Sequence, residues 1–185
     1  MRRPGLRILV LTALAGLTVL AGLGAGCVSA AVPSVPVVPG VDLPRFMGAW
    51  YVIASIPSYV ERHAYDAVES YELLPDGRIQ TTFRYRNGNF ESPLKTLRPV
   101  GTVMPGTGNA VWGMQFIWPI KAEYVISYLD PSYSETVIAR SKRDYAWIMA
   151  RTPQISAAAY TADVERLKAM GYDVSKLRKV PQRAR

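Results

Sequence analysis

Little in this chain of 185 residues suggests metal, redox or nucleic-acid chemistry. It holds one cysteine and one histidine. A single cysteine can form no internal disulfide, and a lone histidine, His63, leaves multi-histidine metal centres and a Ser-His-Asp triad without their parts. No Gly-x-Ser-x-Gly sequence occurs. No run of lysine or arginine exceeds two residues, so the formal charge of +8 is not gathered to follow a phosphate backbone. Acidic residues are missing from the first 27 positions, and with Arg2, Arg3 and Arg7 set aside the excess falls to +5. That is a mildly basic, solvated surface, with weak attraction to anionic lipid headgroups as the functional alternative. No cofactor, metal, nucleic-acid partner or enzymatic activity is expected.

What is present begins with an export signal. Residues 1–27 open on arginines, continue as an uncharged run from Ile8 to Leu23, and end on Gly24-Ala25-Gly26-Cys27. The run passes directly into small residues typical of a cleavage site, which does not suit a permanent span of about 20 apolar residues. The only cysteine lies at that boundary, and lipid attachment explains it better than a core role does. The segment resembles the bacterial lipoprotein signal, although Gly24 stands where that signal usually has an apolar residue; cleavage by an ordinary signal peptidase is the alternative. The resemblance implies a lipidated Cys27, and Val28 in place of aspartate implies the outer membrane. Residues 28–40, with three prolines and no charge, read as an extended tether, and 41–185 as one globular domain.

From Gly48 to Arg151 short strands recur between turn signals. The clearest is 78–86, where Ile79, Thr81, Phe83 and Tyr85 alternate with Arg78, Gln80, Thr82, Arg84 and Arg86. Leu74-Pro75-Asp76-Gly77 and Asn87-Gly88 bracket it as turns. Further strands are expected at 48–56, 67–74, 95–104, 110–116, 123–129, 134–141 and 145–151. Eight antiparallel strands with short connections predict an all-β, closed up-and-down barrel, which leaves no free edge. Ser156 should cap a helix that runs to Met170 and stops at Gly171, packed outside the barrel, with a short extended segment at 174–180.

Several motifs carry a resemblance to one family. Gly48-Ala49-Trp50-Tyr51 opens the first strand; Leu129-Asp130 ends a strand and Tyr133 begins the next; Arg143 to Pro153 contains the last strand with Arg151 at its end; Asp173-Val174-Ser175-Lys176-Leu177 follows the helix. Together and in order, over residues 42–180, they resemble the lipocalins, specifically the bacterial lipocalins related to apolipoprotein D. In such a barrel the first strand starts where the eighth ends, so Trp50 and Arg151 should be neighbours, with a cation–π contact and a guanidinium fork on nearby carbonyls. Gly48 should permit the tight entry turn.

Alternation places Phe83, Tyr85, Trp112, Met114, Phe116, Tyr124, Ile126, Tyr128, Tyr145 and Trp147 inside the barrel. As a set they suit an acyl chain with its head near the mouth, although any one of them is more ordinarily core. The loop from Pro57 to Asp66, carrying Tyr59, Glu61, Arg62 and His63, is expected as a lid. Trp118 and Ile120 are expected either to rim the pocket and touch a bilayer during exchange, or to pack on the lid. The resemblance implies a carrier of a fatty acid, lysophospholipid or similar amphiphile; a barrel filled by its own side chains in an interaction or structural lipoprotein is the alternative. A homodimer is compatible with either.

Overall fold

The computed structural model describes residues 34–183 apart from Val60 and Trp118, with Phe116 and Ile117 described by backbone alone. The signal segment and Cys27 lie outside these residues. A short helix, α1 (Leu43–Phe46), precedes β1 (Gly48–Ile56), β2 (Ala64–Leu73), β3 (Ile79–Asn87), β4 (Leu94–Leu97), β5 (Val100–Val103), β6 (Val111–Ile117), β7 (Ile120–Leu129), β8 (Glu135–Ala139) and β9 (Ala146–Ala150). Helix α2 (Ala157–Ala169), a 3-10 turn (Val174–Lys176) and β10 (Arg178–Lys179) complete the chain.

Each strand pairs antiparallel with its neighbour, and β9 returns to β1 through Tyr51↔Ala150 to Ile56↔Ala146, which closes the sheet. β4 and β5 are two halves of one stave. β4 lies along Phe83–Arg86 of β3 and β5 along Ile79 and Gln80, with Arg98 and Pro99 between them. The expected continuous strand at 95–104 is therefore interrupted, because Pro99 has no N–H to give the ladder. Its carbonyl still accepts from the Thr81 N–H at 3.0 Å. Counted this way the barrel has the eight antiparallel staves expected.

The loops at 74–78, 104–110 and 130–134, with α1, cover one end; those at 57–59, 61–63, 88–93 and 140–145 surround the other, where β6 also turns into β7. An inner apolar cluster fills the covered end around Phe46, Trp50, Tyr71, Ile79 and Trp112. A second cluster lies outside the wall, where α2 packs Leu167 against Val125, Val137 and Ile148. Ser156 caps α2 by accepting from the Ala159 N–H, and Gly171 turns the chain away at φ +83°. The segment expected to be extended at 174–180 is a 3-10 turn followed by β10. β10 adds to the half of β1 that β2 leaves, and Gln182 Nε2 bridges the carbonyls of Val52 (2.8 Å) and Ala67 (3.0 Å).

Residues 34–40 depart from the tether reading. They are extended, as their prolines dictate, but lie along the barrel: Val35 is buried, the Val38 N–H donates to Ile126 O at 3.1 Å, and the Val41 N–H to Gly108 O at 2.8 Å. Three valines in seven residues supply an apolar strip that burial stabilises. At Gly108 a Cβ would collide with the Pro39 carbonyl, so the approach of this segment requires glycine there.

Candidate ligand-binding cavity

The covered end holds an aromatic floor. Trp112 and Tyr124 stack at 4.9 Å, and Tyr71 meets the Trp112 ring edge-on at 5.5 Å. The hydroxyls of Tyr71 and Tyr124 share a hydrogen bond of 2.5 Å. Beneath it the Arg151 guanidinium lies 3.8 Å from the Trp50 ring centroid and donates to the carbonyls of Ala49 (2.8 Å), Arg45 (2.8 Å), Phe46 (3.1 Å) and Met47 (2.9 Å). Gly48 takes φ +91° beside it, a conformation that favours glycine.

Above the floor is a cavity of about 580 Å³, open at the uncovered end. Met114, Tyr124, Tyr145, Trp147, Leu97, Pro99 and Ala122 form its walls; Ser58, Glu61, Glu69, Arg98, Glu123, Arg140 and Asp144 supply polar groups. Of the residues expected to line a pocket, Met114, Tyr124, Tyr145 and Trp147 do so. Phe83 and Tyr85, stacked at 4.9 Å, back the wall, with Phe83 5.6 Å from Trp147. Trp112 and Ile126 belong to the buried core. The side chain of Phe116 lies outside the described residues, as does Trp118.

Tyr128 is a correction. It packs in the outer cluster under α2, with the Arg166 guanidinium 3.7 Å from its ring centroid. The register of β7 against β8 shifts between Ile126 and Tyr128, and one irregular residue turns every later side chain to the opposite face. β1 does the same between Val52 and Ala54, so Val52 is inner and Ala54 and Ile56 are outer.

Sequence reading missed the depth of two carboxyls. Glu61, from the loop expected as a lid, turns inward: it accepts from Ser58 Oγ at 2.8 Å and from Trp147 Nε1 at 3.1 Å and is 5 % exposed. Burial pushes its pKa up against the lowering effect of those two bonds. Glu69, on β2, is 1 % exposed and its Oε2 has no hydrogen-bond partner. Its pKa is raised well above the carboxylate range, first by burial and then by the charge of Glu61. The available signal was the face shared by Ala67, Glu69 and Tyr71, of which the first and last are plainly core. Elsewhere in that loop Tyr59 is exposed with Arg62 over its ring at 4.3 Å, and His63 is exposed outside the lining. Among the described residues no group of three or more His, Cys, Asp or Glu could hold a metal ion.

A model of the lipocalin-like domain matches residues 41–182. The chain belongs to the lipocalin family. Lipocalins bind small hydrophobic molecules, and this lipocalin is of the bacterial type. It is 31% identical over 144 residues to the outer membrane lipoprotein Blc of Citrobacter freundii, covering 77% of this chain and 80% of that one. Temperature-induced lipocalin-1 of Arabidopsis thaliana is 34% identical over 158 residues, covering 79% and 82%. Among solved structures, insecticyanin from the tobacco hornworm Manduca sexta superposes with a TM-score of 0.62 at 16% identity, covering 80% of this lipocalin and 84% of that chain, a likeness of fold.

Proposed function

We propose that this lipocalin is a carrier that holds a fatty acid, lysophospholipid or similar amphiphile in its barrel and catalyses no reaction. The observation that carries the reading is the cavity: about 580 Å³, closed below by aromatic core and open above, within the roughly 300–1,000 Å³ of ordinary ligand pockets. Its walls of Met114, Tyr124, Tyr145 and Trp147 suit an alkyl chain, and its carboxyls and phenols suit a polar head. The filled-barrel alternative describes only the lower half.

The carrier is anchored to the outer membrane through a lipid on Cys27, after removal of residues 1–26. Support comes from the small-residue boundary before Cys27 and from the relatives named as outer membrane lipoproteins. A stripped preparation of the processed chain, titrated with a fluorescent fatty acid, should quench tryptophan emission saturably at one to one with micromolar affinity or better. Trp147→Phe should remove much of that quenching. No saturable binding by a protein that melts cooperatively would sink the reading.

A further inference from the structure

We propose that Glu69 and Glu61 form a head-recognition site inside the barrel, selecting amphiphiles whose head donates hydrogen bonds, a primary ammonium above all and a hydroxyl next, over free carboxylates. The inference rests on the carrier reading and names the class of cargo. Glu69 lies within the wall of the cavity with Oε2 unpartnered, and the hydroxyl of Thr81, on the inward face of the adjoining strand, is buried and unpartnered as well. Phe83 stands opposite Glu69 in the β2–β3 register, so Thr81 is its diagonal neighbour. Glu69 Oε2 is thus an orphaned acceptor in the lining of the cavity, which a donor on a ligand would complete. Glu61 is held toward the same cavity by Ser58 and Trp147, so a head placed between them meets two carboxyls.

An ammonium head gains from both carboxyls, a hydroxyl can donate to one, and a carboxylate head adds a third acid to a pair that already repel one another. The basic residues of the lining are differently placed. Arg140, on the loop beside the mouth, has Nη1 3.2 Å from Asp144 Oδ1, and Arg98 is exposed between β4 and β5. Arg140 offers a carboxylate a seat at the mouth, with the head outward, and that competing arrangement is separable by mutation.

The test uses the stripped full processed chain at pH 7 with three ligands of one chain length: a long-chain primary amine, the alcohol and the fatty acid. The amine should bind about tenfold or more tighter than the acid, with the alcohol between them. Glu69→Gln, close in shape, should reduce the amine-to-acid ratio to within about threefold while leaving the thermal midpoint near that of the parent. Should Glu69→Gln fail to fold, Glu61→Gln at the mouth should narrow the ratio in the same direction. Equal binding of amine and acid overturns head recognition while the carrier reading stands, and acid binding that is lost on Arg140→Ala assigns the head to the rim instead. Absence of binding by all three ligands removes the carrier reading and this inference with it.

Discussion

The guanidinium of Arg151 meets two demands at once: its face covers the Trp50 indole, and its edges satisfy backbone carbonyls that the entry turn leaves without strand partners. A lysine keeps the charge but offers a compact ammonium with no planar fork. Arg151→Lys is therefore expected to cost about 2 kcal/mol, or roughly 4–8 °C in a melt of a domain this size. Ligand affinity should be unchanged, since Arg151 lies below the aromatic floor. An unaltered melting midpoint would show that the fork contributes nothing. This contact was legible in advance, because strand number and direction alone bring the two chain positions together. Glu69 was not, because a glutamate between Val68 and Ser70 has the hydropathy of a solvated position, and a carboxyl placed inward runs against folding preference. Such violations are where function is expected to show.

At the scale of elements, the helix and most staves were readable from period and caps, whereas the faces of β1 and β7 beyond their register shifts were not. A bulge leaves no mark in the alternation, so Tyr128 reads as inward until the pairing of β7 and β8 is known. The seam between α2 and the barrel carries a further consequence. Asp163 is fully buried there, bound to Arg166 at 2.9 Å, and its pKa is raised to about 6, with burial outweighing the arginine. Between about 3.8 and 6 the folded chain thus holds a proton that the unfolded chain has released. Stability must fall as pH rises through that window and level off above it. Denaturant midpoints at pH 4.5 and 7.5 should show the loss, and Asp163→Asn should flatten it while adding about 1 kcal/mol at the higher pH, discounted for the partial screening of the pair. Glu61 and Glu69, shifted in the same direction, leave a residual slope. A variant that is weaker at pH 7.5 with an unchanged slope would mean that the Arg166 pair outweighs burial.

For the molecule as a whole, the docked segment at 34–41 fixes the point beside the barrel from which the chain is traced. Ser34 is tied to the loop at 140–145, accepting from Arg143 Nη2 at 3.1 Å and donating from its N–H to Ser141 Oγ at 2.9 Å, and from there the chain descends to the covered end. Ser34 thus lies beside the mouth. Only residues 28–33 separate Ser34 from Cys27, a reach of about 25 Å when fully extended. With Cys27 lipidated as proposed, the mouth is held at the bilayer surface. The same rim exposes Ile120 (70 %), Leu94 (52 %) and Tyr59 (79 %), among Arg62, Lys95 and Lys121, an apolar crown with cations suited to an anionic leaflet. Cargo should therefore pass to vesicles by contact. Transfer of a fluorescent amphiphile from the lipidated protein should accelerate with vesicle concentration and with anionic lipid, and weaken as salt rises. Ile120→Asp should slow it several-fold with the solution Kd unchanged. A long flexible insertion after Val28 should have a similar effect by releasing the mouth from the surface. Transfer that ignores vesicle concentration and both changes would mean that cargo leaves through water, and that the anchor places the protein without orienting its barrel.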